Sequence, residues 1–401
     1  RGALGSGDLQ AAVALARRGL ELGAQGRERG ELLVVQGHAS AWGTHTNLAL
    51  AEEALRLLSP ATGSWWFSLA LLVFGSSAIG RAELAEPYLE LATVTPAPSD
   101  QQLGAYGQAF EVLALGAVLV GRSDIGWSML SKFEQLVASA DDYMSSAWLK
   151  LTLCQLATNS TRDGLWQLER AVLAGREAVA GMRAAGAVSG EATALLHLGI
   201  ALREIGSYDE AEQAFRGSLQ RASAVGNVLV AEFSRLMLAV FELRHGRREQ
   251  GLLQLDQLAE SSDANIVHAC KSVRAEVYFR SGQIEQALAV GAEALAGPGL
   301  FHRISAAVTL ARAELSRGRP DAALIALEKA RAGRESGTFP QHELDLHTLR
   351  ARALSLLGDV SAAASATCAA ARFASETAEA MQSEELRSAF AKRVRLSTHL
   401  S

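Results

Sequence analysis

LLHLGIALREIGSYDEAEQAFRGSLQ, residues 195–220, decides the fold. Leu195, Leu198, Leu202 and Ile205 recur at intervals of three and four, which puts them on one face of a helix. Gly206 follows at once and suits the left-handed turn that closes a helix. Ser207 or Asp209 can then cap a second helix. Its apolar face holds Ala211, Ala214, Phe215 and Leu219. The stretch is predicted to be a helical hairpin. Ala211, one turn into the second helix, is small because a larger side chain there would wedge the two rods apart.

The same grammar recurs along the chain. Gly7, Gly80, Gly121, Gly206, Gly246, Gly282, Gly318 and Gly358 are followed five residues later by Ala12, Ala85, Gly126, Ala211, Gly251, Ala287, Ala323 and Ala363. The last four intervals between glycines are 40, 36, 36 and 40 residues. Gly43 divides the step from Gly7 to Gly80 into 36 and 37, and the 85-residue step before Gly206 leaves room for a unit near Asn159. A period of this size marks stacked helical hairpins, so the fold expected is an all-α, right-handed solenoid of about ten units. Within one continuous array over 1–401, residues 1–161 read as acidic and Trp-rich, 162–380 as regular repeats and 381–401 as a capping tail. The region 159–187 is least regular, and Arg162–Ala185 reads as one long second helix. Ser59–Ser64 and Thr95–Asp100 read as longer connections.

Composition narrows the partners. A hydrophobic fraction of 49% and a charged fraction of 20% exclude a disordered chain. The net charge of −5 argues against nucleic acid. Residues 32–161 hold 5 basic and 11 acidic side chains, a net of −6. All six tryptophans lie between Trp42 and Trp166. Cys154, Cys270 and Cys368, three and far apart, fit a reducing compartment, and a cytoplasmic location is expected. The longest apolar run, Trp65–Phe74, is about half of what spans a bilayer, so no membrane is expected. With no secretory leader at its start and Arg1 where Met would stand, the chain reads as a segment of a longer polypeptide.

The quoted stretch resembles the tetratricopeptide repeat. Leu198-Gly199, Gly206, Tyr208, Ala211 and Phe215 occupy the places where that family has its Leu-Gly pair, turn Gly, Tyr, Ala and aromatic. The chain departs at Leu195 and Leu202, where the family has Trp and Tyr, and at Ser218, where it has Ala. This lengthened form is similar to the MalT-type arrays at the C-terminal end of large bacterial signalling proteins, both signal-transducing NTPases and serine/threonine kinases with an NTPase module. Ala370–Val394, with Ala-Arg-Phe-Ala at 371–374, resembles the tail that closes such arrays. The excess of Arg over Lys, 33 to 5, fits a GC-rich bacterial source. The resemblance implies a non-catalytic interaction or sensor module that binds a protein, a peptide or an intramolecular catalytic domain on its concave face.

Catalytic constellations are missing from the chain. There is no phosphate loop ending in Lys-Ser/Thr and no kinase signature. His342 and His347 flank Glu343 but are five apart, which rotates the second imidazole off the face a metal needs. His268 and Cys270 point to different faces. This segment is therefore not expected to be an enzyme, nor to hold a cofactor or metal.

Two sets of binding residues remain. Arg203, Arg244, Arg280, Arg312 and Arg352 lie two to six residues before a turn glycine. By the resemblance these places face the groove, where guanidinium groups grip carboxylates in pairs. Glu204 and Glu276 stand among them and would neutralise the row. The plainer reading is that the Arg stems cover apolar surface with solvated heads. The second set is Trp65-Trp66, since successive helix residues cannot all face one core, and an exposed ring would mark a contact patch. The plainer reading there is a seam filled by large rings. A pocket near 140–190 would favour the alternative function, a small-molecule sensor controlling an upstream NTPase or kinase. An open groove lined by the arginines would favour a protein partner.

Overall fold

A computed structural model describes residues 9–39, 45–60, 62–96, 103–138, 142–332 and 337–400. They form twenty α-helices and no strand beyond two isolated bridges. Helix α1 (Leu9–Glu21) comes first. Nine hairpins follow: α2 (Gly26–Ala39) with α3 (His45–Leu57), α4 (Gly63–Ala78) with α5 (Glu86–Val94), α6 (Leu103–Leu119) with α7 (Ser123–Ala138), α8 (Tyr143–Asn159) with α9 (Leu168–Ala184), and α10 (Val188–Ile205) with α11 (Tyr208–Ala224). The array continues with α12 (Val228–Arg244) and α13 (Arg248–Leu258), α14 (Ala264–Arg280) and α15 (Ile284–Leu295), α16 (Leu300–Ser316) and α17 (Pro320–Arg331), then α18 (Glu343–Leu356) and α19 (Val360–Glu379). A last helix, α20 (Glu384–Leu400), closes it. No helix among the described residues is long and apolar enough to cross a membrane.

The hairpin rule is visible at α10–α11. Gly206 has φ +99°, and its N–H and that of Ser207 both reach the carbonyl of Leu202, so the orphan end of α10 is satisfied. Ser207 holds the N-cap position of α11, but its side chain makes no capping hydrogen bond, contrary to expectation. Ala211 is fully buried. A Cβ on Gly199 would lie 2.6 Å from the Phe215 ring, which explains the small residue after Leu198. Gly282, Gly318 and Gly358 also turn with positive φ, while Ala287, Ala323 and Ala363 are buried. At Gly251 a Cβ would stand 2.6 Å from Leu243, so the second helix rides close on the first. Gly7 and Gly43 lie outside the described residues.

The irregular unit departs from expectation. The second helix begins at Leu168, not Arg162. Residues 160–167 are instead pinned as a turn. Trp127 Nε1 donates to Ser160 Oγ at 3.0 Å and to the Thr161 carbonyl at 3.1 Å, and Trp166 Nε1 donates to the Thr158 carbonyl. Ser160 forms a bridge with Thr338, and Phe339 N–H donates to the Asn159 carbonyl at 2.7 Å. Those partners lie far along the chain, so local pattern could not supply them.

Distant units meet elsewhere too, and the array closes on itself. A Cβ on Gly80 would lie 2.7 Å from Pro298 Cα, so the turn after α4 abuts the loop before α16, the first helix of the unit six later. Helix α20 returns onto the middle of the array. Phe390 and Phe373 pack on Trp166, Glu169 accepts from the N–H of Ser383, and Arg393 pairs with Glu204 at 2.6 Å. A simple solenoid has only nearest-neighbour contacts. This one is wound tightly enough to bring its own rows into contact.

Candidate functional site

Winding the array puts its first helices on the inside. The inner cavity is lined from α4 (Phe74), α6 (Glu111, Leu115), α8 (Trp148), α10 (Ile200) and α12 (Phe233), with α14 and α16 also contributing. Seven consecutive first helices thus face one space of about 230 Å3, lined mainly by apolar side chains. Beside it lies a wider groove of about 510 Å3 between α10, α12, α14, α16 and α20. Arg203, Met237, Phe301 and His302 line both, so the two are neighbours along the inner wall.

The groove brings together four of the five expected arginines: Arg203, Arg244, Arg280 and Arg312. Arg248 and Arg393 join them, which the repeat register did not single out. Six arginines face three carboxylates, Glu204, Glu276 and Asp345. Burial pushes Glu204 up, but Arg203 and Arg393 outweigh it and hold this carboxyl down at about 2. Glu276 is likewise held below the usual carboxylate range by Arg312 and Arg280, against its burial. Arg312 is only 12% exposed and bridges Glu276 at 3.5 Å and Asp345 at 2.8 Å. It is a wall strut. Arg244 lies over the Tyr208 ring at 4.7 Å, and Arg248 donates to Gln283 at 3.1 Å. Both heads are exposed at the rim. Arg280 is exposed as well, and pairs with Glu276 at 2.6 Å. Arg352 is exposed but does not line the groove, so the row is four long rather than five.

Trp65 and Trp66 are not a surface patch. Trp65 is 4% exposed and Trp66 1%. Trp66 stacks on Phe110, which stacks on Phe133, and its Nε1 donates to the Pro60 carbonyl at 3.1 Å. Both rings serve the core because α4 is covered on several sides: Trp66 packs toward α6 and α7, and Trp65 sits edge-on beside it.

The inner cavity holds groups that local pattern did not flag. Glu111 is 4% exposed and lines it. Burial pushes its carboxyl up to about 7, partly offset by the Gln155 amide that donates to it. His197 lines the same cavity, and burial pushes its imidazole down to about 4. Its Nδ1 and the Oε1 of Gln155 are buried without a hydrogen-bond partner. Cys154 and Cys270 are buried thiols pushed up to about 12 by desolvation, which suits packing rather than nucleophilic chemistry. His347 pairs with Glu343 at 3.3 Å. Among the described residues no group of three or more His, Cys, Asp or Glu stands ready for a metal.

No family model and no curated protein matches the chain. Solved structures do. A Rap protein complexed with competence and sporulation factor aligns with a TM-score of 0.53 at 12% identity, over 84% of this chain and 98% of that one. Human IFIT1 with m7Gppp-AAAA aligns at 0.49 and 13% identity, over 98% and 95%. A signal-transduction ATPase with a tetratricopeptide repeat sensor from Pyrococcus horikoshii aligns at 0.30 and 14% identity, over 91% and 55%. At such identities the likeness concerns fold. Together with the Gly-turn hairpins, it makes this chain an all-helical array of tetratricopeptide-like repeats.

Proposed function

We propose that this chain is a non-catalytic interaction or sensor module, and that it receives an acidic segment of a protein partner in the arginine-lined groove. The observation that carries this reading is the excess of six arginines over three carboxylates on the inner wall of a chain whose net charge is −5. Arg244, Arg248 and Arg280 present exposed guanidinium heads at that wall, suited to paired hydrogen bonds with carboxylates. The similar Rap array is itself complexed with competence and sporulation factor, which supports a binding role for an array of this fold. The parent would be a larger cytoplasmic bacterial signalling protein, and the segment bound would be a partner's or an upstream catalytic domain's, rather than nucleic acid or membrane.

The test is fluorescence anisotropy of the whole chain with a labelled Glu-rich peptide. Binding that weakens at least about tenfold in Arg244→Glu/Arg248→Glu, and weakens with salt, is expected. Equal binding by the variant, tighter binding of a labelled RNA, or ATP turnover by the chain would contradict the reading. A second reading, a small-molecule sensor, is favoured by the inner cavity, which reaches Trp148, Asn159 and Ser189 beside the irregular unit.

A further inference from the structure

Glu111 is an isolated charge by sequence and by structure. It is the sole Asp, Glu, Lys or Arg between Gln101 and Gly121. In the fold it sits on the wall of the inner cavity, 4% exposed, and the side chain that engages it is the neutral amide of Gln155. No Lys or Arg among the described residues pairs with it. Burying an unpaired carboxylate is costly, so it either stays protonated or meets a cation.

The other charged and titratable groups facing the cavity are Arg203, His197, His302 and Asp263. Arg203 is committed to Glu204, with Nε to Oε1 at 3.0 Å. His197 and His302 are both held down at about 4 by burial, so they are neutral at physiological pH. Asp263 caps α14, accepting from the N–H of Asn265 at 2.8 Å. The cavity therefore has a negative bias, with no uncommitted Lys or Arg among its described lining residues, and His197, which lines it, has its Nδ1 buried without a hydrogen-bond partner. An alkylammonium ion donates three N–H groups from a compact charge, and its hydrocarbon part suits an apolar wall.

We propose that the inner cavity is a binding site for a small apolar amine, with Glu111 as its counter-charge and Leu115, Trp148, Ile200 and Phe233 around its hydrocarbon part. This deepens the sensor reading and is separate from the arginine groove, so the peptide experiment and this one fail independently.

The test is isothermal titration calorimetry of the whole chain with hexylammonium, hexanoate and hexanol as probes. Hexylammonium should bind tightest. Its affinity should rise about tenfold from pH 6 to pH 8, because the Glu111 proton must leave near pH 7 for the ion pair to form. Glu111→Gln, whose carboxamide can still meet Gln155, should lose at least about tenfold in hexylammonium affinity and little in hexanol affinity. Leu115→Trp, which fills the cavity and spares Glu111, should abolish binding of both. Equal hexylammonium affinity in wild type and Glu111→Gln, tighter binding of hexanoate, or no heat with hexylammonium at either pH would overturn the proposal. Should Glu111→Gln fail to fold, the wild-type ranking and pH dependence decide it.

Discussion

Ala211 and Glu111 are both enclosed, for opposite reasons, and each makes a residue-scale prediction. Ala211 and Ala287 are fully buried at the hairpin crossings, so Ala211→Leu or Ala287→Leu should lower unfolding free energy by about 1–3 kcal/mol through overpacking. Denaturant titration checks this, and an unchanged midpoint would count against the hairpin register. Glu111 has its carboxyl raised from 4.5 to about 7 in the fold. The folded state therefore binds the more protons between those values, and stability from this group is full below about 4.5 and is lost as pH rises to about 7. Glu111→Gln should flatten that slope and leave the protein more stable than wild type at pH 8, read from melts across pH. The small residues were legible because their spacing repeats. Glu111 was not, because one carboxylate in an apolar helix has no period; its only signal was solitude. The Trp65-Trp66 pair misled because a helix covered on several sides can bury adjacent rings.

At the scale of the element, Gly206 and Gly318 look alike in sequence, and both have positive φ. Alanine at either carries the left-handed backbone cost of about 1–2 kcal/mol. They differ in what lies beyond. A Cβ at Gly318 meets open space, whereas at Gly206 it would lie 2.7 Å from the Ala389 carbonyl oxygen on α20. Gly206→Ala should thus destabilise clearly more than Gly318→Ala and loosen α20, seen as faster amide exchange at 384–395. Equal melting points and equal exchange would mean that α20 does not seat there. Helix existence and turn positions were readable from apolar spacing and glycine. The start of α9 was not, because Trp127 and Thr338, which shape residues 160–167, belong to other units.

At the scale of the whole molecule, the decisive property is curvature. Repeat period predicts stacking, but the small rotation per unit that sums to a closed ring depends on side-chain packing at every crossing. Four of the five expected arginines meet in one groove because they share a face of successive first helices, and Arg352 misses it although it stands on α18, the helix that carries Asp345. Arg393 enters only because α20 returns to α10. The inner-cavity proposal depends on that closure, since the cavity exists only if α4 and α16 face each other across it. Small-angle X-ray scattering of the chain in solution tests this most directly. A closed ring of this length should give a radius of gyration of about 22–25 Å, close to that of a compact chain. A value above about 30 Å, with the long scattering tail of an open rod, would contradict it.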